Sequence, residues 1–282
     1  MYSILLLGLP LELLQLIAFG FGVIIGSFLN VYIYRFHTGK SLSGHSHCLS
    51  CGAKLRWFEL FPLVSYLALR GRCRTCGCSV TTRYFFVELA TGLLFAGTLF
   101  VTGDLIKVLL LWAMLSILVV ITVYDLNHFI IPDELTISLL VLAGVFVGYR
   151  YLLIPDVTHL AYGIIASLAG SLFFFILWFI SKGAWIGFGD VKLAVPLGLV
   201  LGYGAVFSFV VVSFWIGAAT SLMLIGYQKA KLRLQRGKGD LHLSQEALTM
   251  KSAVPFAPFL VASFVTILFT RLDVLQLFHF MQ

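Results

Sequence analysis

Apolar runs long enough to cross a bilayer, at about 20 residues each, fall near residues 12–34, 85–102, 106–124, 134–154, 159–181, 204–226 and 255–279. An eighth, shorter run extends from Val191 to Leu201 and closes on the turn-like Gly202-Tyr203-Gly204. Polar and charged positions concentrate between these runs, above all in residues 35–84 and 227–253. The pattern predicts an all-α polytopic membrane protein of about eight transmembrane helices, with a loop domain between helices 1 and 2. No internal repeat or low-complexity linker interrupts it.

Composition agrees. Of 282 residues, 60% are hydrophobic and 11% charged, and the mean hydropathy is +1.03. A soluble domain carries about 25% charged residues, and a disordered chain lacks such apolar content. The net charge of +7 raises nucleic acid as a partner, so its distribution matters. Lys and Arg are retained on the cytoplasmic side of membrane proteins. Residues 35–83 hold eight of them and residues 229–251 six more. With Lys182 and Lys192, threading eight spans in alternation puts 16 of 19 on one side, leaving Lys107, Arg150 and Arg271 on the other. Seven spans would put the two basic loops on opposite faces. The expectation is therefore cytoplasmic basic loops, both termini outside, the bilayer as environment and no nucleic acid. The first apolar segment has no basic n-region and no convincing cleavage site, so it reads as a retained helix.

All five cysteines lie in the first loop, as Cys48-Leu-Ser-Cys51, Cys73-Arg-Thr-Cys76 and Cys78. Paired Cys-x-x-Cys knuckles at this separation place four thiolates around Zn²⁺, as in a zinc ribbon. The expected ligands are Cys48, Cys51, Cys73 and Cys76, with Cys78 outside the set. Disulfides do not suit a reducing cytosol. Four thiolates leave no open position for water, so the metal is structural. Redox-active or merely free thiols are the alternative. His37, His45 and His47 read as solvated loop residues.

Four acids flank the spans on the cytoplasmic side: Asp125, Asp133, Glu134 and Asp190. Threading brings Asp125 and Asp190 to one membrane edge. Two close carboxylates share a proton, which suits aspartic proteolysis: the ionised member deprotonates water and the protonated one donates to the scissile carbonyl oxygen. Gly187 and Gly189 lack side chains, which lets an extended substrate backbone approach Asp190. Spacing leaves a second reading open, in which each Asp favours a helix N-terminus; Asp133 after Pro132 fits that best, or else supports Asp125 from eight residues away. Lys192 reads either as an electrostatic neighbour of the pair or as an interfacial anchor. Glu88 reads as a helix-dipole partner.

These stretches together resemble the type IV prepilin peptidases, the bifunctional leader peptidase/N-methyltransferases of bacterial pilus and type II secretion systems. The matching residues are Gly26-Ser-Phe-Leu-Asn-Val31 with Arg35, both knuckles, Arg83-Tyr84 with Val87-Glu88-Leu89, Asp125 with Ile131-Pro132-Asp133, Gly187-Phe-Gly-Asp-Val-Lys192, and Pro255-Phe-Ala-Pro-Phe259. The resemblance implies that Asp125 and Asp190 are paired catalytic aspartates and that the four cysteines form a zinc element. It also implies a prepilin or pseudopilin substrate, cleaved after a Gly at the cytoplasmic face of the bacterial inner membrane. The new N-terminus is then methylated from S-adenosylmethionine. Gly71 and Arg72 look like the family's Gly-basic-Cys element and are candidates for methyl transfer. Phe58-Glu59-Leu60-Phe61-Pro62 and Ala257 depart from the family pattern, the first within the loop expected to serve methylation.

The expected organisation is a first helix over 1–34, a four-cysteine zinc loop domain over 35–84 with the methyltransferase part, and a membrane aspartic peptidase domain over 85–282 with a loop at 227–253. A competing reading is a proton-coupled transporter or channel using the same aspartates. The outer halves of the spans carry almost no further ionisable residues to continue a relay, which disfavours it.

Overall fold

Residues 9–39, 41, 44–236 and 254–274 are described by a computed structural model. The tips of the expected basic loop, including Lys238 and Lys251, and both chain ends lie outside them, as does Lys40. Among the described residues the regular structure is helical: α1 (Leu11–Arg35), α2 (Val64–Ala68), α3 (Arg83–Val101), α4 (Leu105–His128), α5 (Asp133–Leu153), α6 (Val157–Ser181), α7 (Phe188–Leu201), α8 (Tyr203–Arg236) and α9 (Ala257–Thr270).

Six of these, α1, α3, α4, α5, α6 and α8, are long and apolar enough to cross a membrane. The chain is a multi-pass membrane protein. The expectation of about eight transmembrane helices, the Val191–Leu201 run already the shorter, differs slightly in count: α7 and α9 have 14 residues each. At 1.5 Å per residue they reach about 21 Å, short of a ~30 Å hydrocarbon core. Helix α9 ends at Thr270, closed by Arg271 in a left-handed conformation (φ 52°), and residues 275–279 of the expected segment lie outside the described residues. In turn, α8 continues to Arg236, into what the sequence reads as loop.

The chain divides into two compact units, residues 1–123 and 124–282. In the first, α1 and α3 pack antiparallel at very close range. Cβ atoms added at Gly22 and Gly26 would fall 2.8 Å from the Thr91 carbonyl oxygen and the Glu88 Cα. Gly22 and Gly26 are four apart, the small-xxx-small spacing that lets membrane helices approach. Trp112 of α4 stacks on Phe95 at 4.8 Å and donates its indole N–H to Thr98 Oγ1 at 2.8 Å. The loop between α1 and α3 carries a 3-10 turn at Trp57–Leu60, the short α2, and two isolated bridges, His47 to Lys54 and Arg72 to Ser79.

In the second unit, α7 is the central element, packed by α5, α6, α8 and α9. Pro196 lies inside it and removes one intrahelical N–H. Two serines of α6 grip its backbone: Ser171 donates to the Val191 carbonyl at 2.9 Å and Ser167 to the Val195 carbonyl at 2.8 Å. Ser263 of α9 donates to the Phe209 carbonyl of α8 at 2.7 Å. Buried hydroxyl bonds of this kind hold helices together where water cannot.

Candidate functional site

Asp125, in the last turn of α4, and Asp190, in the first turn of α7, are each only 5% exposed. Both belong to the second unit, and each is held by a backbone N–H at a helix start. Asp125 Oδ2 accepts from Ala257, the first residue of α9, at 3.2 Å. Asp190 Oδ2 accepts from Gly187 at 3.1 Å, the N3-to-N-cap half of a capping box. Those donors carry the positive end of the α9 and α7 dipoles. The two carboxylates also act on each other electrostatically. Asp190 Oδ1 is buried and has no hydrogen-bond partner among the described residues, an acceptor with its capacity unspent.

The neighbouring candidates take distinct places. The Asp133 carboxylate, read from sequence as a helix-start residue or as a support for Asp125, stands in the first turn of α5 and reaches α7: its Oδ1 receives Lys192 Nζ at 2.7 Å. Lys192 lies 5.0 Å over the Phe188 ring. Gly187 supplies the N–H to Asp190, and a Cβ there would sit 3.4 Å from the carboxylate. Gly189 makes room for Ile131, which a Cβ would meet at 3.0 Å; its bare backbone seats the α4–α5 connection against α7. Ala257 was invisible as a site residue because its contribution is a main-chain N–H.

In the first unit, the two knuckles have matching backbones. The Cys48 N–H donates to the Ala53 carbonyl and Gly52 N–H to the Cys48 carbonyl; Cys73 N–H donates to the Cys78 carbonyl and Gly77 N–H to the Cys73 carbonyl, all at 2.8–2.9 Å. Gly52 and Gly77 share φ 71°, a left-handed turn that glycine adopts without strain. In each knuckle the first cysteine's sulfur receives two backbone N–H groups. Those of Cys51 and Ser50 bring the Cys48 thiol down to about 6, and those of Cys76 and Thr75 lower Cys73. Thiolates are thereby favoured where a metal needs them.

The sulfurs of Cys48, Cys73, Cys76 and Cys78 lie within 4.8 Å of one another, a group that could hold a metal ion. The sequence expectation has Cys51 in place of Cys78. Cys48 stands 3.9 Å from Cys76 and 3.6 Å from Cys78, while Cys76 and Cys78 approach to 3.0 Å. Zn–S bonds of ~2.3 Å in a tetrahedron separate ligand sulfurs by about 3.8 Å. The first two distances fit that edge; the third is too short for two ligands of one ion. The hydrogen bond that Cys76 donates to Cys78 pushes the Cys76 thiol up. Cys51 also contacts Cys76 through its thiol.

Gly71 lies at φ 64°, and a Cβ there would stand 2.7 Å from the Tyr66 hydroxyl oxygen, so glycine suits both the turn and the packing. Arg72 is exposed beside it. Glu88 does more than face a helix dipole: it accepts the Leu63 N–H at 2.8 Å and a hydrogen bond from Ser27, joining the loop to α1 and α3. Asn30, 2% exposed, donates to the Tyr84 carbonyl at 3.0 Å. A carboxylate and an amide within apolar runs were the available sequence signals for these ties.

Fold and site define a polytopic, all-helical membrane protein with a buried carboxylate pair and a thiol cluster on a loop. Residues 21–102 match the bacterial peptidase A24 N-terminal domain and residues 112–222 the type IV leader peptidase family. Prepilin leader peptidase/N-methyltransferases are similar over most of their length. The one from Myxococcus xanthus is 32% identical over 82% of this chain and 70% of its own. That of Burkholderia pseudomallei strain 1026b is 31% identical over 93% and 87%, and that of Pectobacterium carotovorum 34% over 74% and 82%. No solved structure matches significantly. The chain belongs to the type IV leader peptidase family.

Proposed function

We propose that this chain is an aspartic endopeptidase that removes the basic leader of type IV prepilins or pseudopilins, cutting after a Gly at the cytoplasmic face of the bacterial inner membrane. It then methylates the new N-terminal amine with S-adenosylmethionine. The observation that carries the reading is the pair Asp125 and Asp190, two buried carboxylates each held by a backbone N–H of a helix start, one of them with an oxygen that has no hydrogen-bond partner among the described residues.

One member of the pair is ionised while the other holds a proton, because like charges in a dry site do not both ionise comfortably. The ionised carboxylate takes a proton from water as the water oxygen bonds to the scissile carbonyl carbon. The protonated carboxyl gives its proton to the carbonyl oxygen. When the tetrahedral intermediate collapses, the C–N bond breaks, the leaving nitrogen takes a proton from the carboxyl that first received one, and one hydroxyl of the intermediate returns its proton to the other carboxylate as the product carboxyl forms. Asp133, Lys192, Gly187 and Gly189 support the pair by positioning α7 against α5 and the α4–α5 connection. The apolar segment of the substrate remains in the bilayer while its leader stays in the cytosol.

Cys48, Cys51, Cys73 and Cys76 hold a structural Zn²⁺ in the loop over residues 35–84, where Gly71 and Arg72 are the candidates for methyl transfer. Matching knuckle backbones support Cys51 as the counterpart of Cys76. The metal supplies folding energy rather than a nucleophile. The test is purified protein incubated with a prepilin and S-adenosylmethionine, read by the mass of the mature N-terminus. Leader loss with one methyl increment is expected; an uncut substrate contradicts the peptidase, and a cut, unmethylated one contradicts the second activity.

A further inference from the structure

The second unit carries a cavity of about 230 Å³ where the end of α5, the start of α6 and the end of α7 meet. Its polar lining is Arg150, Tyr151, Asp156 and His159. Arg150 is 17 residues along α5 from Asp133, about 26 Å of helix. The cavity therefore lies at the far end of α5 from the aspartates, close to one hydrocarbon thickness away. None of its lining belongs to the carboxylate pair.

Arg150 is aimed rather than loose. Its guanidinium donates to His159 Nε2 at 2.7 Å, and Gly202, without a side chain, leaves open the space beside its other terminal nitrogen. No carboxylate pairs with Arg150 among the described residues. Asp156, the N-cap of α6, takes the His159 N–H at 3.0 Å and the Thr158 hydroxyl at 2.8 Å, both on Oδ1. The His159 N–H and Thr158 hydroxyl hold its carboxyl below the usual range, so it is charged at neutral pH. One fixed cation and one fixed anion thus border the same hollow.

Its remaining walls are apolar. Val147 and Leu199 are half-buried in the lining, while Ile154 and Ile164 are exposed on the flank, where a multi-pass protein meets acyl chains. Tyr203 packs edge-on against His159 at 5.0 Å and Tyr162 lies 6.0 Å from Tyr203, a tyrosine cluster of the kind enriched at the membrane–water boundary. The volume is below the ~300–1,000 Å³ that encloses a whole drug-sized ligand. It suits a headgroup whose tails remain outside.

We propose that this cavity binds the headgroup of a zwitterionic phospholipid bearing a primary ammonium, with the phosphate toward Arg150 and His159 and the ammonium toward Asp156. A purely anionic headgroup would satisfy Arg150 but meet repulsion from Asp156; a quaternary ammonium has no N–H to donate to that carboxylate. Bidentate contact with phosphate oxygens is the geometry a guanidinium favours.

The test is lipid retention by the full-length chain, purified in detergent, stripped of lipid, and equilibrated with equal phosphatidylethanolamine, phosphatidylglycerol and phosphatidylcholine before native mass spectrometry. The wild-type chain is expected to retain phosphatidylethanolamine at least fivefold over the other two. Arg150→Gln should lose at least fivefold of that retention. Asp156→Asn keeps a competent helix N-cap and should shift the preference to phosphatidylglycerol, so the proposal stays testable if Arg150→Gln does not fold. Free phosphoethanolamine should displace the bound lipid at lower concentration than inorganic phosphate. Equal retention of the three lipids by the wild-type chain, an unchanged preference in Asp156→Asn, or equal displacement by the two free anions would overturn it.

Discussion

The main-chain N–H of Ala257 donates to Asp125 Oδ2 at 3.2 Å across 132 residues of sequence. The last turn of α4 is thereby fastened to the first turn of α9. Asp190 is fixed in the same way by Gly187, within its own helix start. Neither donor needs a particular side chain, so the arrangement tolerates Ala257 where the family pattern favours Gly.

The close approach of α1 and α3 makes one glycine indispensable and leaves another free. A Cβ at Gly22 would fall within 2.9 Å of the Thr91 carbonyl, the Gly92 Cα and the Phe95 Cβ, whereas one at Gly20 meets nothing within 4 Å. Gly22→Ala is expected to destabilise by about 1–3 kcal/mol. Gly20→Ala should be neutral or stabilise by up to ~1 kcal/mol. Thermal unfolding of the two variants in one detergent checks the difference.

The knuckle geometry predicts an asymmetric response to losing single thiols. Cys51→Ser should release zinc, since Cys51 is the positional counterpart of Cys76, while Cys78→Ser should retain one metal per chain. Elemental analysis of the purified variants measures this. Zinc retained by the first and lost by the second would assign the fourth ligand to Cys78.

The Asp133–Lys192 pair is 63% and 37% exposed. Solvent screens such pairs, which are worth at most about 1 kcal/mol. Lys192→Gln should therefore leave the melting midpoint nearly unchanged and lower the rate of leader cleavage several-fold, by loosening α7 against α5. A large fall in melting temperature would point to a structural role instead.

Asp156 gives a pH signature. Its carboxyl is held below the unfolded value by the His159 N–H and the Thr158 hydroxyl, so the folded state binds the proton less readily. Its stabilising contribution is complete above the unfolded value, about 3.9, and is lost as pH falls through the lower folded value. Asp156→Ala should melt below the wild-type chain at pH 7, and the gap should narrow on acidification below about pH 4. A constant gap would exclude the ionised cap as its source.

Much of this was legible in the sequence because the strongest signals are local. The long apolar runs required helices, and the paired Cys-x-x-Cys spacing marked the loop. Less legible were features set by tertiary packing. Pro196 and the serines of α6 make α7 a short, gripped element, which hydropathy alone reads as an ambiguous span. Asp133 has the spacing of a helix cap, yet Lys192, 59 residues away, claims its carboxylate. The approach of Cys78 to Cys76 depends on a reversal at Gly77 that counting cysteines does not reveal. Ala257 acts through its backbone, to which side-chain patterns are blind.

The most direct test is leader hydrolysis by Asp125→Asn and Asp190→Asn, each inserted normally in membranes and compared with the wild-type chain on one prepilin. Each substitution preserves shape while removing a proton-exchanging group. Cleavage is expected to fall by at least about a thousandfold in both. Turnover near the wild-type rate in either variant would contradict the paired-carboxylate account.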